Sequence, residues 1–360
     1  MKKRRRHIAT GLLLVMLFAG LALFASSSCC HIHVTERSPD NPVPIIYHPQ
    51  YNITFFGIEK LHPFDSTKYG RVFDMLVERG LIDPKRIVRP GTVTDEQLRL
   101  VHTERYLDSL KQSKTVAHIA EMPPLAKLPN RSLQCNLLKP KRLATGGTIR
   151  AAQLALAQHT GGATGWAINL SGGYHHAKAD SGEGFCVFAD IPIAAEVLWQ
   201  TRPELRIMVI DLDAHQGNGF ESIFQDDERV VMYDLYNSQV YPDDQAARAF
   251  IDHDVPIASG TGDKVYLKLL KNTLSPAMAA ANADLIIYNA GTDIFEDDPL
   301  GGLSISREGI IERDDYVFRA ARDADVPVAM VMSGGYTKDT AGIIADSIEN
   351  LFEEKLISED

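Results

Sequence analysis

The 360-residue chain has little cysteine and tryptophan and no excess of positive charge: four Cys, two Trp, and 37 Lys+Arg against 47 Asp+Glu, for a formal charge of −10. Four cysteines exclude a disulfide framework. Cys29 and Cys30 belong to the N-terminal segment, and Cys135 and Cys186 have no metal-type pairing in sequence, which leaves at most one bridge between them. A net-acidic chain is a poor partner for duplex nucleic acid, whose phosphates draw clustered Lys and Arg. Long apolar runs are missing after residue 25, which excludes a polytopic membrane protein. Gly/Ser-rich hinges, low-complexity tracts and internal repeats are also missing. With 45% hydrophobic and 23% charged residues, the remainder has the composition of a globular protein.

The cationic exception is the N-terminus. Lys2, Lys3, Arg4, Arg5 and Arg6 precede an apolar stretch from Ile8 to Ala25, followed by Ser26, Ser27 and Ser28. A basic head, an apolar core and then small residues read as an export signal. The stretch also approaches the length of a membrane span, so an uncleaved anchor is the alternative. In both cases the basic end stays cytoplasmic and the rest is exported, to a periplasmic or other extracytoplasmic space. Cys29 adds a lipoprotein reading, although Ser26 stands where such signals usually carry Leu. The expected organisation is therefore a signal or anchor over 1–30, a linker over 31–44 that includes PDNPVP, and one domain over 45–360. Any membrane contact is expected through the N-terminal segment alone.

Within the domain, Thr94 and Gln97 form a capping-box pattern ahead of Leu98, Val101 and Leu107, which predicts a helix. A second helix is expected from Thr148 to Gln158. Four short apolar runs, Trp166–Leu170, Ile207–Ile210, Leu285–Tyr288 and Val326–Met332, have strand length and β-branched content. Runs apolar at every position fit strands covered on both faces. The expected fold class is α/β: three αβα layers with a mostly parallel central sheet.

The residues after each run carry the chemistry. Ser171-Gly-Gly-Tyr-His175-His176 follows the first, Asp211-Leu-Asp213-Ala-His215 the second, Asn289-Ala-Gly-Thr-Asp293 the third and Ser333-Gly-Gly-Tyr336 the fourth. Open parallel sheets bind ligands beyond the carboxyl ends of their strands. Asp213 and His215 leave an extended segment on the same side. With Asp293 they make a set of two carboxylates and one imidazole, suited to Zn²⁺ and also to Mn²⁺ or Fe²⁺. His175 and His176 can supply a general base and an electrostatic partner, with Asp211 orienting one imidazole. The Tyr336 phenol can stabilise an oxyanion.

Together these segments resemble the zinc-dependent histone deacetylase family of the arginase/deacetylase fold, and its class IV branch in particular. The resemblance rests on GGYHHAKADSGEGFCVFADI (172–191), IDLDAHQGNG (210–219), YNAGTDIFEDDPLGGLSIS (288–306), SGGYTKDTAGIIADSI (333–348) and VHTERYLDSL (101–110). It implies one zinc per chain on Asp213, His215 and Asp293. It implies His175 and His176 as the catalytic pair, Asp211 behind His175, and Tyr336 as the phenol on the scissile carbonyl. Gly184 and Phe185 would line the acyl-lysine channel, with Tyr241 opposite. A monovalent cation, K⁺, would take oxygens from Asp211, Asp213, His215, Asp234 and Leu235, with Asp234 standing where many relatives have Ser. Asn218 replaces the Asp that many relatives place behind the second histidine, a change shared with class IV, and predicts a less basic His176.

The implied reaction is metal-assisted hydrolysis of acyl amides, from acetyl to longer fatty acyl, on lysine side chains or related amines. Two rivals are a catalytically silent acyl-lysine or acylpolyamine binding protein and an arginase-type ureohydrolase with two manganese ions. The second is disfavoured because AHQGN has no carboxylate after His215 and GTDIFED has no Asp-x-Asp at Asp293. Oligomeric state leaves no signature in the sequence.

Overall fold

The structure is a computed structural model that describes residues 42–54, 65, 67–160 and 164–358. The signal or anchor reading, and the linker up to residue 41, lie outside the described residues. Among the described residues no helix is long and apolar enough to cross a membrane.

Eight strands form one sheet: β1 (Val43–Ile46), β2 (Ile87–Val88), β3 (Trp166–Asn169), β4 (Ile207–Asp211), β5 (Val230–Asn237), β6 (His253–Ile257), β7 (Leu285–Asn289) and β8 (Val328–Val331). The order is β2-β1-β3-β8-β7-β4-β5-β6, and every pairing is parallel. Strand β1 takes in Val43 and Pro44, two residues that the sequence reading gave to the linker.

Side chains alternate between the two faces of each strand, and both faces are buried. Ile168, Met208, Ile210, Ile286, Val328 and Met330 join one apolar core. That core is covered by the helices Lys68–Glu78, Asp263–Ala281, Arg307–Asp323 and Thr340–Glu353. Ala167, Ile207, Val209, Leu285, Ile287 and Ala329 face the other core, under the helices Lys139–Gln158, Asp190–Trp199 and Asn218–Phe224. This double coverage explains why the central strands read as unbroken apolar runs, and it gives the expected three layers.

The expected helices differ in extent. The capping box at Thr94 is present, with Gln97 Nα–H donating to Thr94 Oγ1 and Thr94 Nα–H donating to Gln97 Oε1, but the helix ends at Leu98. A new helix, Glu104–Ser109, starts under a second cap, Thr103. The helix expected from Thr148 begins at Lys139. Cys135 and Cys186 are not bonded to each other, so the one bridge that the sequence left open is absent.

Candidate active site

The strand order sets β3, β8, β7 and β4 side by side, so four segments far apart in sequence end at one edge. Asn169 pairs in register with Val331, Val331 with Asn289, and Asn289 with Asp211. The segments after these residues carry His175 and His176, Tyr336, Asp293, and Asp213 with His215.

Asp213, His215 and Asp293 are buried and converge, with one ligand atom of each within 4.8 Å of the others. His215 Nδ1 lies 3.0 Å from Asp213 Oδ1 and 2.9 Å from Asp293 Oδ2. The remaining oxygens are fixed by backbone donors: Ala214 N–H to Asp293 Oδ1 at 2.8 Å, and Gly334 N–H to Asp213 Oδ2 at 2.8 Å. Gly334 has to be glycine, because a Cβ there would stand 2.1 Å from Asp293 Oδ2. Burial, and then the Asp213 carboxylate beside it, push Asp293 up to about 7. Burial alone would lower His215, but the two carboxylates outweigh it and hold the imidazole well above its ordinary value. Two buried carboxylates sharing one imidazole call for a cation, and this donor set fits a divalent ion such as zinc.

The histidine pair is split by its supports. His175 Nδ1–H donates to Asp211 Oδ2 at 2.9 Å. Asp211 Oδ1 in turn accepts from Asp213 N–H at 3.0 Å and Asn289 Nδ2 at 2.9 Å. Burial lowers His175, but Asp211 and Asp213 outweigh it, leaving the ring up at about 9. His176 Nδ1–H donates to Asn218 Oδ1 at 2.8 Å. Burial, then the neighbouring His175 and His215, press His176 well below its ordinary value. One imidazole is therefore held cationic and the other neutral, with ring centroids 4.1 Å apart.

Tyr336 stands edge-on to His215, centroids 6.3 Å apart. Burial, followed by the Asp293 and Asp213 carboxylates, keeps its phenol protonated. Its backbone N–H donates to Asp298 Oδ2 at 2.8 Å. The loop before it is held by Lys68, whose buried Nζ donates to the carbonyls of Ser333 at 2.8 Å and Gly334 at 2.9 Å. Burial pulls that ammonium down to about 8, against the pull of Asp293 and Asp213.

Gly184 and Phe185 line the same cavity as the histidine pair and Tyr336. Gly184 has φ +53, and a Cβ there would lie 2.6 Å from His176 Cδ2. Phe185 holds a left-handed φ of +64, strain that its place at the cavity supports. Tyr241 reaches the mouth: its ring is 5.1 Å from that of His176 and it is 46% exposed.

The residues expected around a monovalent cation are also adjacent. Asp234 pairs with Asp211 across β5 and β4, and Leu235 follows it. Asp234 Oδ2 accepts from Gly217 N–H at 2.9 Å. The sequence reading missed Glu221, which is buried against Asp234. Asp234 Oδ1 and Glu221 Oε1 have no hydrogen-bond donor among the described residues. Burial, together with Asp211 and Glu221, pushes Asp234 well up, and burial raises Glu221 to about 7. Lys68, Lys141, Asp190, Asn289 and Asp298 were missed as well. Each is a buried polar residue in the framework of the site; Asp190, Asn289 and Asp298 lie inside the quoted motifs but were given no role, whereas Lys68 and Lys141 lie in none of them.

A three-layer αβα fold with a buried Asp–His–Asp cluster, a paired histidine and a phenol at its strand ends defines a class of metal-site α/β proteins. The histone deacetylase domain model matches residues 62–352. Histone deacetylase 2 of Arabidopsis thaliana is 50% identical over 319 residues, 89% of this chain and 81% of that one. Among solved structures, an HDAC homologue from Aquifex aeolicus superposes with a TM-score of 0.68 at 22% identity, covering 88% of this chain and 84% of its own. An acetylpolyamine aminohydrolase from Burkholderia pseudomallei gives 0.66 at 16% identity, covering 86% and 98%; both share the fold. The chain belongs to the histone deacetylase family.

Proposed function

We propose that this protein is a zinc-dependent amidohydrolase that removes acyl groups, acetyl or longer, from lysine side chains or related amines. The observation that carries this reading is the convergence of Asp213, His215 and Asp293 with His175, His176 and Tyr336 on one buried cavity. Family membership supports it, as do relatives described as a histone deacetylase and an acetylpolyamine aminohydrolase.

Asp213, His215 and Asp293 would hold the ion. Bound there, it supplies Lewis acidity to the acyl carbonyl and lowers the pKa of water. Neutral His176 is the group able to take a proton from the attacking water, because Asn218 fixes its Nδ1–H and leaves Nε2 as the acceptor. Cationic His175, held by Asp211, stabilises negative charge and is poised to protonate the leaving amine. The Tyr336 phenol donates to the developing oxyanion. Gly184, Phe185 and Tyr241 form the walls that orient the acyl amide. The products are a free amine and a carboxylate.

Three finer assignments belong to the same reading. The motifs, Asn218 among them, put the chain with the class IV branch. Asp211, Asp213, His215, Asp234 and Leu235 would hold a monovalent cation, K⁺, a reading supported by the donor-less buried oxygens of Asp234 and Glu221. The basic and apolar N-terminal segment exports the domain, and sequencing the mature N-terminus separates cleavage from anchoring.

The test is a panel of acyl chains from acetyl to myristoyl on lysine peptide and polyamine carriers, with metal analysis of the same protein. One zinc per chain and stoichiometric carboxylate release are expected, and Asp293→Ala loses zinc and turnover together. Tight binding without carboxylate release would favour a silent binding protein, two manganese ions would favour a ureohydrolase, and retained zinc in Asp293→Ala would remove that residue from the ligand set.

A further inference from the structure

Arg313 is fully buried in the Arg307–Asp323 helix and takes no part in the chemistry derived above. One of its nitrogens, Nη1, donates to two carbonyls, that of Leu212 at 3.1 Å and that of Gly291 at 2.5 Å. Leu212 directly precedes Asp213, and Gly291 stands two residues before Asp293. A single guanidinium thus ties the segment after β4 to the segment after β7, where both leave the sheet for the acidic cluster. The same two peptide groups are held from their other ends. Asp213 N–H, which shares a peptide unit with the Leu212 carbonyl, donates to Asp211 Oδ1 at 3.0 Å. Thr292 N–H, which shares one with the Gly291 carbonyl, donates to the Gly334 carbonyl at 3.2 Å. The two segments touch here: a Cβ on Gly291 would stand 2.3 Å from Asp213 Oδ2.

The guanidinium is itself fixed. Its Nε donates to Asp314 Oδ1 at 2.8 Å, and Asp314 also accepts from the Tyr288 hydroxyl and from Ser347 Oγ at 2.5 Å. Arg313 and Asp314 form a buried ion pair, so together they add no net charge beside the cluster. A well-packed apolar pair would fill the core without the desolvation that a buried ion pair costs. What the guanidinium supplies is position. The register that aligns β4 with β7 ends at Asp211 and Asn289, and repulsion between two carboxylates so close favours a wider site. An ion site binds tightly when its donors already stand at the right separation. We propose that Arg313 is a positioning residue for the divalent-ion site, clamping the Leu212 and Gly291 carbonyls so that Asp213 and Asp293 are set for the ion before it arrives. This rests on the reading of Asp213, His215 and Asp293 as the metal ligands, and extends that site to a residue on a helix that contributes no ligand.

The experiment titrates zinc into the metal-stripped full chain in competition with a chromogenic chelator, for the wild type, Arg313→Met, Arg313→Lys and Ser347→Ala. The melting temperature of each is recorded without metal. Arg313→Met is expected to weaken zinc binding by about ten- to a hundredfold, the scale of losing a group that orients metal ligands. Arg313→Lys keeps the charge, but its nitrogen falls one bond short of Nη1, so it should recover only part of that loss. Ser347→Ala loosens the same buried network from the Thr340–Glu353 helix; it should lower the melting temperature and leave zinc affinity unchanged. Wild-type zinc affinity in either Arg313 variant overturns the proposal, and Arg313→Lys alone decides it if Arg313→Met does not fold. Equal weakening by Ser347→Ala also overturns it, because the effect would then be general loosening of the core. A wild type that binds no zinc would instead overturn the ligand assignment on which the proposal rests.

Discussion

Tyr336 and Asn218 are the two side chains at which chemistry and support separate most cleanly. Tyr336 contributes a phenol donor, and its backbone is positioned independently by Asp298 and Lys68. Tyr336→Phe should therefore leave zinc content intact while lowering turnover by about 10²–10³, the usual loss for one oxyanion donor; near-wild-type turnover would remove the phenol from the mechanism. Asn218 accepts from His176, while its Nδ2 donates to Glu183 Oε1 at 2.7 Å and Asp244 Oδ2 at 3.4 Å. Those two carboxylates explain why an amide stands here. An aspartate would meet like charge on one side while raising the basicity of His176 on the other. Asn218→Asp should move the acidic limb of the pH–rate profile to higher pH and lower stability by about 1–3 kcal/mol, the cost of leaving buried polar partners unmatched. An unchanged acidic limb would mean that His176 does not set it.

At the scale of elements, His102 links the turn between the Asp95–Leu98 and Glu104–Ser109 helices to the far side of the site. Its Nε2 accepts from Ala189 N–H at 3.0 Å, and its Nδ1 faces the Ala179 carbonyl at 3.3 Å. The ring is 3% exposed, and burial lowers it to about 4, opposed by the Ala179 and Lys178 backbone. An unfolded histidine takes up its proton near pH 6.5, whereas the folded one stays neutral to about 4. Between these values the unfolded chain binds more protons, so stability falls as pH drops through this window, by up to about 3 kcal/mol. His102→Gln should flatten that part of the stability profile in denaturant titrations at successive pH values; an unaltered slope would assign it to other groups. The elements most legible in sequence were those buried on both faces. β8 is apolar throughout and β3, β4 and β7 are apolar up to their last residues, Asn169, Asp211 and Asn289, so their ends, and the motifs after them, could be read directly. β5 and β6 were not legible, because VVMYDLYN carries Asp234 inside the strand and HDVPI is an edge strand with exposed positions and a proline. The start of the Lys139–Gln158 helix was hidden by its Lys-Pro-Lys-Arg opening. Charge there reads as a solvated surface, and only tertiary packing makes Lys141 interior. Lys68 and Glu221 escaped notice for the same reason: a single charged residue in sequence says nothing about burial.

For the molecule as a whole, a cation bound by Asp213, His215 and Asp293 would be thermodynamically linked to the fold. Asp213 and Asp293 are fully buried and close together, so without an ion the two carboxylates share the single His215 imidazole between them. Chelation should lower the melting temperature, and restored zinc should raise it again in proportion to the logarithm of its free concentration. A melting curve indifferent to chelator would show that the acidic cluster is self-sufficient. The strand order has a consequence for biosynthesis. β8, the last of the described strands in chain order, lies between β3 and β7, so the β2-β1-β3 and β7-β4-β5-β6 halves of the sheet are paired only through it. A nascent chain still held by the ribosome short of Val331 lacks the strand that pairs the two half-sheets, one preceding the tandem histidines and the other the acidic cluster. Assembly of the catalytic edge is thus deferred until β8 has been made.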